Sequence, residues 1–482
     1  GYHWHAGYWG GDRTATADFS QTVREQYPGG IGTLNQAWRS KYTSFEDLKP
    51  LTPAQAPSER AWQEFLRWYR GSMTAYADFW MKTARELFPD TDIYLCTGGD
   101  MAPEHGSDFS AQAKTAARYG GGVRITNEAS SFPVNVRMTR MVGSSCRYYG
   151  AYCGHEPAAL VTPAGMLGRL FNAVTSGARQ LFIYHSPELV AEQNGRLVPG
   201  EGGKYLRLYR NLLKTTSPTI EVALYHPNPS VGQTRTDVEE FNEMASQIRR
   251  LVDYDFVDDR LVQDGALGGK SVLIIASTKV MDAATTARIR QWASAGGVVF
   301  VLRSHWTDWD GNKAAFDALV GFTAQTDQVE GITELKVDQP RILPSIAALS
   351  GLFISRGFTA LRADCEPLLA MGYAPRAKAA WRYKIGAGEV FAYYGPMDLK
   401  QVEQSWVVAQ NLPLRFIKDS SQACVAEGII QKGSPTLNLS APDLYKVQAE
   451  NKLWILNMKN EDRKIEVDGK TVDIPALAIT VH

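Results

Sequence analysis

Apolar and polar positions along the chain follow two periods, and the changes between them mark the elements. Ala17 to Tyr27 (ADFSQTVREQY) has helical spacing and stops at Pro28-Gly29-Gly30. Ser58 to Phe88 carries aromatic and aliphatic residues three and four apart behind a serine suited to an N-cap, which predicts a long, largely buried helix ending at Pro89. Four short apolar segments then alternate with helical ones: Asp92 to Thr97 (DIYLCT), Gly122 to Asn127 (GVRITN), Tyr148 to Cys153 (YYGAYC) and Gln180 to His185 (QLFIYH). Strands alternating with helices predict right-handed crossovers and a parallel sheet, whose functional groups gather beyond the carboxyl ends of the strands. Those ends read Gly98-Gly99-Asp100, Asn127-Glu128, His155-Glu156 and His185-Ser186.

After Thr215-Thr216-Ser217-Pro218 the pattern restarts. A strand over Ile220 to Tyr225, a helix over Asp237 to Leu251, the strand VLIIAS, a helix over Ala283 to Ala295 and the strand VVFVL form an open, doubly wound α/β unit. It holds no GxGxxG loop, P-loop or nucleophile elbow, so no cofactor and no chemistry are assigned to it. From about residue 424, KLWILNMKN and RKIEVDGKTVDIPALAITVH alternate apolar and polar around Asp468-Gly469, which predicts a small antiparallel β domain. Three domains are expected, over 1–217, 218–423 and 424–482.

Composition narrows the function classes. The 482 residues balance 51 Lys+Arg against 51 Asp+Glu, which disfavours an electrostatic nucleic-acid or anionic-membrane binder. No run approaches the roughly 18 apolar residues of a membrane span. Five cysteines, widely spaced and odd in number, exclude a disulfide scaffold and CxxC zinc patterns. Cys146 and Cys153 are close enough in sequence for one disulfide, but two buried thiols is the favoured reading. The opening GYHWHAGYWGGD reads as a loop rather than a signal peptide; the compartment stays open, with export to the periplasm or medium favoured over the cytoplasm.

The 12 Trp, 21 Tyr and 18 Phe concentrate in the first third of the chain, a density that often lines sugar sites. Two carboxylates at the ends of neighbouring parallel strands, set among His, Trp and Tyr, suit glycoside hydrolysis: one attacks the anomeric carbon and another protonates the leaving oxygen. Glu128 and Glu156 are the visible candidates. A glutamate beyond a strand is more often a surface or ion-pair residue; the aromatic neighbours of Glu156 and the helix expected from Pro163 favour a functional one. Trp4, Tyr8 and Trp9 could stack on sugar faces, while His3, His5 and Asp12 could bond hydroxyls. Asp100, Asn127, His155, Tyr184 and His185 complete the expected substrate-binding set by their places at strand ends. A zinc site from His3, His5, His155 and His185 has no spacing rule in its favour, and no metal is expected.

The segment GTLNQAWRSKYTSFEDLKPL (32–51), the glutamate of GHEP, and PAGMLGRLFNAVTSGARQLFIYH (163–185) resemble the β-galactosidases of glycoside hydrolase family 42 and their relatives. Leu34-Asn35-Gln36-Ala37-Trp38 is the most specific part, and the resemblance covers nearly the whole chain. It implies an α/β protein in which a TIM barrel is followed by a Rossmann-like (glutamine-amidotransferase-like) domain serving trimer formation and by a small C-terminal antiparallel β domain, a β-sandwich. It further implies a retaining β-galactosidase without cofactor. The nucleophile is a glutamate at the end of barrel strand seven, and the acid/base a glutamate after Asn or Gly at the end of strand four. Counting back from the boundary near residue 218, QLFIYH takes the place of strand eight, YYGAYC seven, GVRITN six and DIYLCT five. Glu156 then matches the nucleophile, and Glu128 on strand six becomes a substrate-binding carboxylate.

Only four strands precede residue 218, whereas a full barrel needs eight strands and about 250 residues. A lone half-barrel would leave unpaired edges and an open core. The missing half-barrel, with the acid/base glutamate, is therefore expected upstream of Gly1 in the same polypeptide or on a second chain. The expected partners are an oligo- or polysaccharide substrate and further copies in a homo-oligomer, with a trimer as its candidate form. The competing class is a catalytically silent carbohydrate-binding or scaffold protein on the same fold. An amidotransferase-like reading of residues 218 to 330 lacks a nucleophilic Cys, since Cys365 and Cys424 are the only ones after Cys153.

Overall fold

The computed structural model describes residues 7–98, 102–127, 132–157, 162–181, 190–200, 218–232, 235–323, 329–337, 350–360, 362–372, 377–394, 436, 438, 441 and 444–482. Two compact units result: one of Gly1–Thr216 with Pro227–Asn242 and Thr307–Asn312, the other of Ser217–His226, Glu243–Trp306 and Lys313–His482.

In the first unit, helix α1 (Arg13–Gln26) begins upstream of the expected Ala17, because Asp12 caps it by accepting from the N–H groups of Thr14 and Ala15 at 2.8 and 3.0 Å. Helix α2 (Ile31–Trp38) contains the LNQAW segment. Helix α3 (Glu59–Leu87) has the expected cap, Ser58 accepting from Ala61 N–H at 3.2 Å. Its first half is buried among Phe19, Val23, Leu34 and Trp38. Within that core sits one carboxylate, Glu64. Tyr27 Oη donates to it at 2.9 Å and Trp38 Nε1 at 2.8 Å, while Arg60 reaches it at 3.4 Å. Burial and the charge of Glu64 push the Tyr27 hydroxyl well above its ordinary range. The second half of α3 departs from the expectation of burial. Asp78 and Arg85 tie one side down through Arg118 and the Tyr119 carbonyl, but Met73, Tyr76, Phe79, Trp80 and Leu87 remain exposed.

Strands β1 (Tyr94–Thr97), β2 (Gly122–Asn127), β3 (Tyr152–Pro157) and β4 (Gln180–Leu181) form a parallel sheet in the order β1-β2-β3-β4. The crossovers are α4 (Phe109–Arg118), α5 (Phe132–Tyr149) and α6 (Pro163–Thr175). The expected strand over Tyr148 to Cys153 is corrected: Tyr148 and Tyr149 are the last residues of α5. Gly150, at φ 77°, stops that helix, and Ala151 N–H closes back on the Cys146 carbonyl at 2.9 Å. The shift places Glu156 inside the strand. Cys146 and Cys153 are free, buried thiols; Cys146 donates to Cys153, which holds the first thiol up and the second down. A hairpin, β5 (Val190–Gln193) and β6 (Arg196–Pro199), turns through Asn194-Gly195 with both φ positive.

The second unit carries a nine-stranded sheet. Its parallel part runs β8 (Asp255–Val257), β7 (Val222–Tyr225), β9 (Val272–Ala276), β10 (Val298–Leu302) and β17 (Gly388–Tyr393). The antiparallel part continues through β16 (Lys378–Ile385), β15 (Glu366–Met371), β12 (Val329–Val337) and β13 (Ser350–Gly357), while β11 (Phe322–Thr323) pairs with β14 (Thr359–Ala360). β9 and β10 read as unbroken apolar runs because both faces are covered. The turn after β9 holds Ser277-Thr278, which offers no thiol for amidotransferase chemistry. At the C-terminus β18 (Leu444–Ala449), β19 (Lys452–Asn457) and β22 (Ala478–Val481) form one antiparallel sheet. β20 (Arg463–Val467) and β21 (Lys470–Ile474) form a hairpin through Asp468-Gly469, over a core that includes Leu444, Ile455 and Ile474. Among the described residues no helix is long and apolar enough to cross a membrane.

Removing the Glu64 carboxylate leaves the Tyr27 and Trp38 donors buried without an acceptor. Glu64→Ala should lower stability by about 2–4 kcal/mol and Glu64→Gln by less, read as shifts in the urea midpoint of tryptophan fluorescence. A midpoint for Glu64→Ala equal to that of the wild type would show that the contact is energetically idle.

Candidate active site

Alternation along the strands of the first unit sorts their side chains onto two faces. Val123, Ile125, Cys153 and His155 are buried on the face covered by α4, α5 and α6. The other face carries Tyr94, Cys96, Arg124, Thr126 and Glu156, all half-buried or exposed. The register sets Arg124 opposite Cys96 and Gly154, and Thr126 opposite Glu156.

Glu156 lies near the carboxyl end of β3 with 14% of its side chain exposed. Arg124 Nη2 meets its Oε2 at 2.8 Å, and Thr126 Oγ1 donates to the same oxygen at 3.1 Å. Among the described residues, Oε1 accepts no bond. Arg124 is itself placed by its neighbours: Nη2 lies 3.1 Å from Cys96 Sγ, and the guanidinium sits 5.4 Å from the centre of the Tyr94 ring. Gly154 leaves room for it, since a Cβ there would stand 3.3 Å from Arg124 Cβ and 2.9 Å from Gln180 Oε1. A carboxylate held through one oxygen, with the other open at the end of a parallel strand, has the form of a nucleophile or of a stabiliser of developing positive charge.

The other expected residues divide. His155 is adjacent in sequence but on the opposite face, fully buried, with Nδ1 3.5 Å from Thr139 Oγ1; it does not join Glu156. Burial first, then the charge of Arg169, pushes its pKa down to about 3. Asp12 spends its carboxylate capping α1. Trp9 is 63% exposed, and its backbone N–H donates to Tyr69 Oη at 3.2 Å. Tyr8 is taken up by packing, edge-on to Trp62, Phe65 and Tyr69. Asn127 ends β2 opposite Pro157. His3, Trp4, His5, Asp100, Glu128, Tyr184 and His185 lie outside the described residues. The sequence reading missed Arg124, Thr126, Tyr94 and Cys96, whose signal was an arginine in mid-strand two residues from a threonine of the same parity.

This combination, a parallel α/β sheet with a glutamate at one strand end followed by a mixed sheet and small β-sheets, defines a class of fold. No family model matches the chain, and no curated protein matches its sequence. Solved structures do match. The β-galactosidase from Bacillus circulans sp. alkalophilus aligns over 99% of this chain and 77% of its own, with a TM-score of 0.71 at 13% identity. The polyextremophilic β-galactosidase from Halorubrum lacusprofundi aligns over 97% and 75%, with a TM-score of 0.71 at 14% identity. A catalytic mutant of Gan42B, a GH42 β-galactosidase from G. stearothermophilus, carries alanine in place of a glutamate and aligns over 99% and 77%, with a TM-score of 0.68 at 12% identity. The chain has a fold like that of the family 42 β-galactosidases; at these identities the likeness is one of fold.

The buried histidine gives the first unit a pH signature. An unfolded histidine ionises near 6.5, so below that pH the unfolded chain takes up a proton that the folded chain refuses until about pH 3. The contribution to stability is whole above pH 6.5 and is lost as the pH falls from there toward 3, by at most about 1.4 kcal/mol per pH unit. Between pH 7 and 5, His155→Asn should lose about 2 kcal/mol less than the wild type, measured by urea midpoints at each pH. Parallel losses in the two proteins would mean that His155 takes up its proton in the fold as readily as in the unfolded chain.

Proposed function

We propose that this chain is the catalytic-nucleophile portion of a retaining glycoside hydrolase acting on β-galactosides or related units of oligo- or polysaccharides. The observation that carries the reading is Glu156, held by Oε2 and with no partner at Oε1 among the described residues, at the end of a parallel strand in a family 42-like fold. Glu156 Oε1 attacks the anomeric carbon while the bond from that carbon to the leaving oxygen breaks, and an acid/base glutamate gives that oxygen a proton. Water then attacks the glycosyl-enzyme ester, returns a proton to the acid/base group and frees the Glu156 carboxylate.

In this reading β1 to β4 are strands five to eight of a TIM barrel, and a complementary half-barrel, from the same polypeptide or a second chain, brings the acid/base glutamate. Two observations support it. The inward face of a closed barrel is a packed core, whereas the face of Arg124 and Glu156 is left partly uncovered by the described residues, with Cys96 exposed on it. The stripe Met73, Tyr76, Trp80 and Leu87 on α3 is apolar and exposed, as a surface awaiting a neighbouring helix would be. The nine-stranded unit is the proposed oligomerisation domain, with a trimer as its form.

With its half-barrel present, the protein should release nitrophenol from p-nitrophenyl β-galactoside with the β-anomer appearing first by NMR. Glu156→Gln should lower kcat by at least about 10³-fold while a galactoside still binds. Binding without turnover in the wild type would instead identify a carbohydrate-binding protein, and wild-type turnover by Glu156→Gln would remove Glu156 from the chemistry.

A further inference from the structure

Resting on the assignment of Glu156 as nucleophile, we infer that Arg124 is its positioning residue and that Tyr94 aims Arg124. The three side chains come from three consecutive strands and share the open face of the sheet. Arg124 bridges the other two, its guanidinium over the Tyr94 ring and its Nη2 on Glu156 Oε2. Thr126 adds a second donor to the same oxygen, so both contacts fall on one side of the carboxylate. The result is selective. A carboxylate with both oxygens tied would be a poor nucleophile, and one with neither tied would sample several rotamers and rarely present an oxygen to the anomeric carbon. Holding Oε2 fixes the plane of the group, and none of the described residues occupies the Oε1 lone pairs that would attack. Arg124 therefore acts through Glu156.

Planarity makes arginine fit this task. A guanidinium can lie flat on a tyrosine ring while its edge donates to a carboxylate, whereas a lysine ammonium offers a point charge without the stacking face. Gly154, beside Arg124 in register, supplies the space that lets the side chain cross from β2 to β3.

The test compares Arg124→Ala, Arg124→Lys, Tyr94→Leu and Glu156→Gln in the complete protein. For p-nitrophenyl β-galactoside, Arg124→Ala should lower kcat by about 10²-fold with KM within about threefold. Arg124→Lys should recover part of that loss, and Tyr94→Leu should fall between Arg124→Lys and the wild type. Millimolar guanidinium should partly restore Arg124→Ala, which lost structure alone would not allow. A second measurement does not need turnover: with ¹³C at Glu Cδ, the Glu156 resonance, assigned by its loss in Glu156→Gln, should move in Arg124→Ala and return with guanidinium. An unmoved resonance overturns the proposal, as does a raised KM with unchanged kcat, which would make Arg124 a substrate contact. Full activity of Glu156→Gln would sink the nucleophile assignment instead, with the resonance arm still reporting whether Arg124 holds the carboxylate.

Discussion

A strand hands alternate side chains to opposite faces, and in the first unit everything about the candidate site follows from that constraint. One parity of β2 and β3 supplies Val123, Ile125, Cys153 and His155 to a buried layer under α5 and α6. The other parity supplies Arg124, Thr126 and Glu156 to the open face. A slip of one residue in either strand would exchange the sets, burying a carboxylate and an arginine under helices and exposing the apolar layer. The buried parity therefore locks the register, and the locked register brings Arg124 within 2.8 Å of Glu156. Two residues adjacent in sequence, His155 and Glu156, consequently live in opposite dielectric surroundings: one kept neutral by burial, the other paired with a guanidinium near solvent.

The aromatic density of the first third has a second explanation that the structure makes concrete. Tyr8, Phe19, Trp38, Trp62, Phe65, Trp68 and Tyr69 pack on one another in edge-on, tilted and stacked pairs. Rings make up much of this core beside Val23, Leu34, Leu48, Leu51 and Leu66, and rings bring polar atoms inside with them. Glu64 is the answer to that difficulty, one acceptor group serving both the Tyr27 hydroxyl and the Trp38 indole. Trp38, the last residue of the LNQAW segment, is thus held inside the fold and acts in packing.

What could be read from the sequence was whatever a local period encodes. The strand GVRITN and the capped start of α3 came through because alternation and capping are short-range signals. The strand at Tyr152–Pro157 was set too early because YYGAYC reads equally well as helix end or strand start; Gly150 in a left-handed conformation decides it, and φ is not written in a single sequence. Glu156 was legible as a strand-end carboxylate. Its partners were not, because Tyr94, Arg124 and Glu156 lie far apart in the sequence, each on its own strand, and meet only through the strand order. His155 was read as a site member for the same reason in reverse: closeness in sequence says nothing about face.

The ion pair also bears on how a barrel could close over this sheet. Bringing a lone carboxylate from a half-open face into an enclosed cavity would carry a desolvation penalty of several kcal/mol. Arg124 and Glu156 meet that penalty as a pair, already at contact distance while the face is open. Closure then lowers the local dielectric around an existing contact, which strengthens the attraction between the two charges. A pair assembled only upon closure would have to desolvate both groups first. The register forms the pair before any enclosure, and the pair would make enclosing the Glu156 carboxylate tolerable.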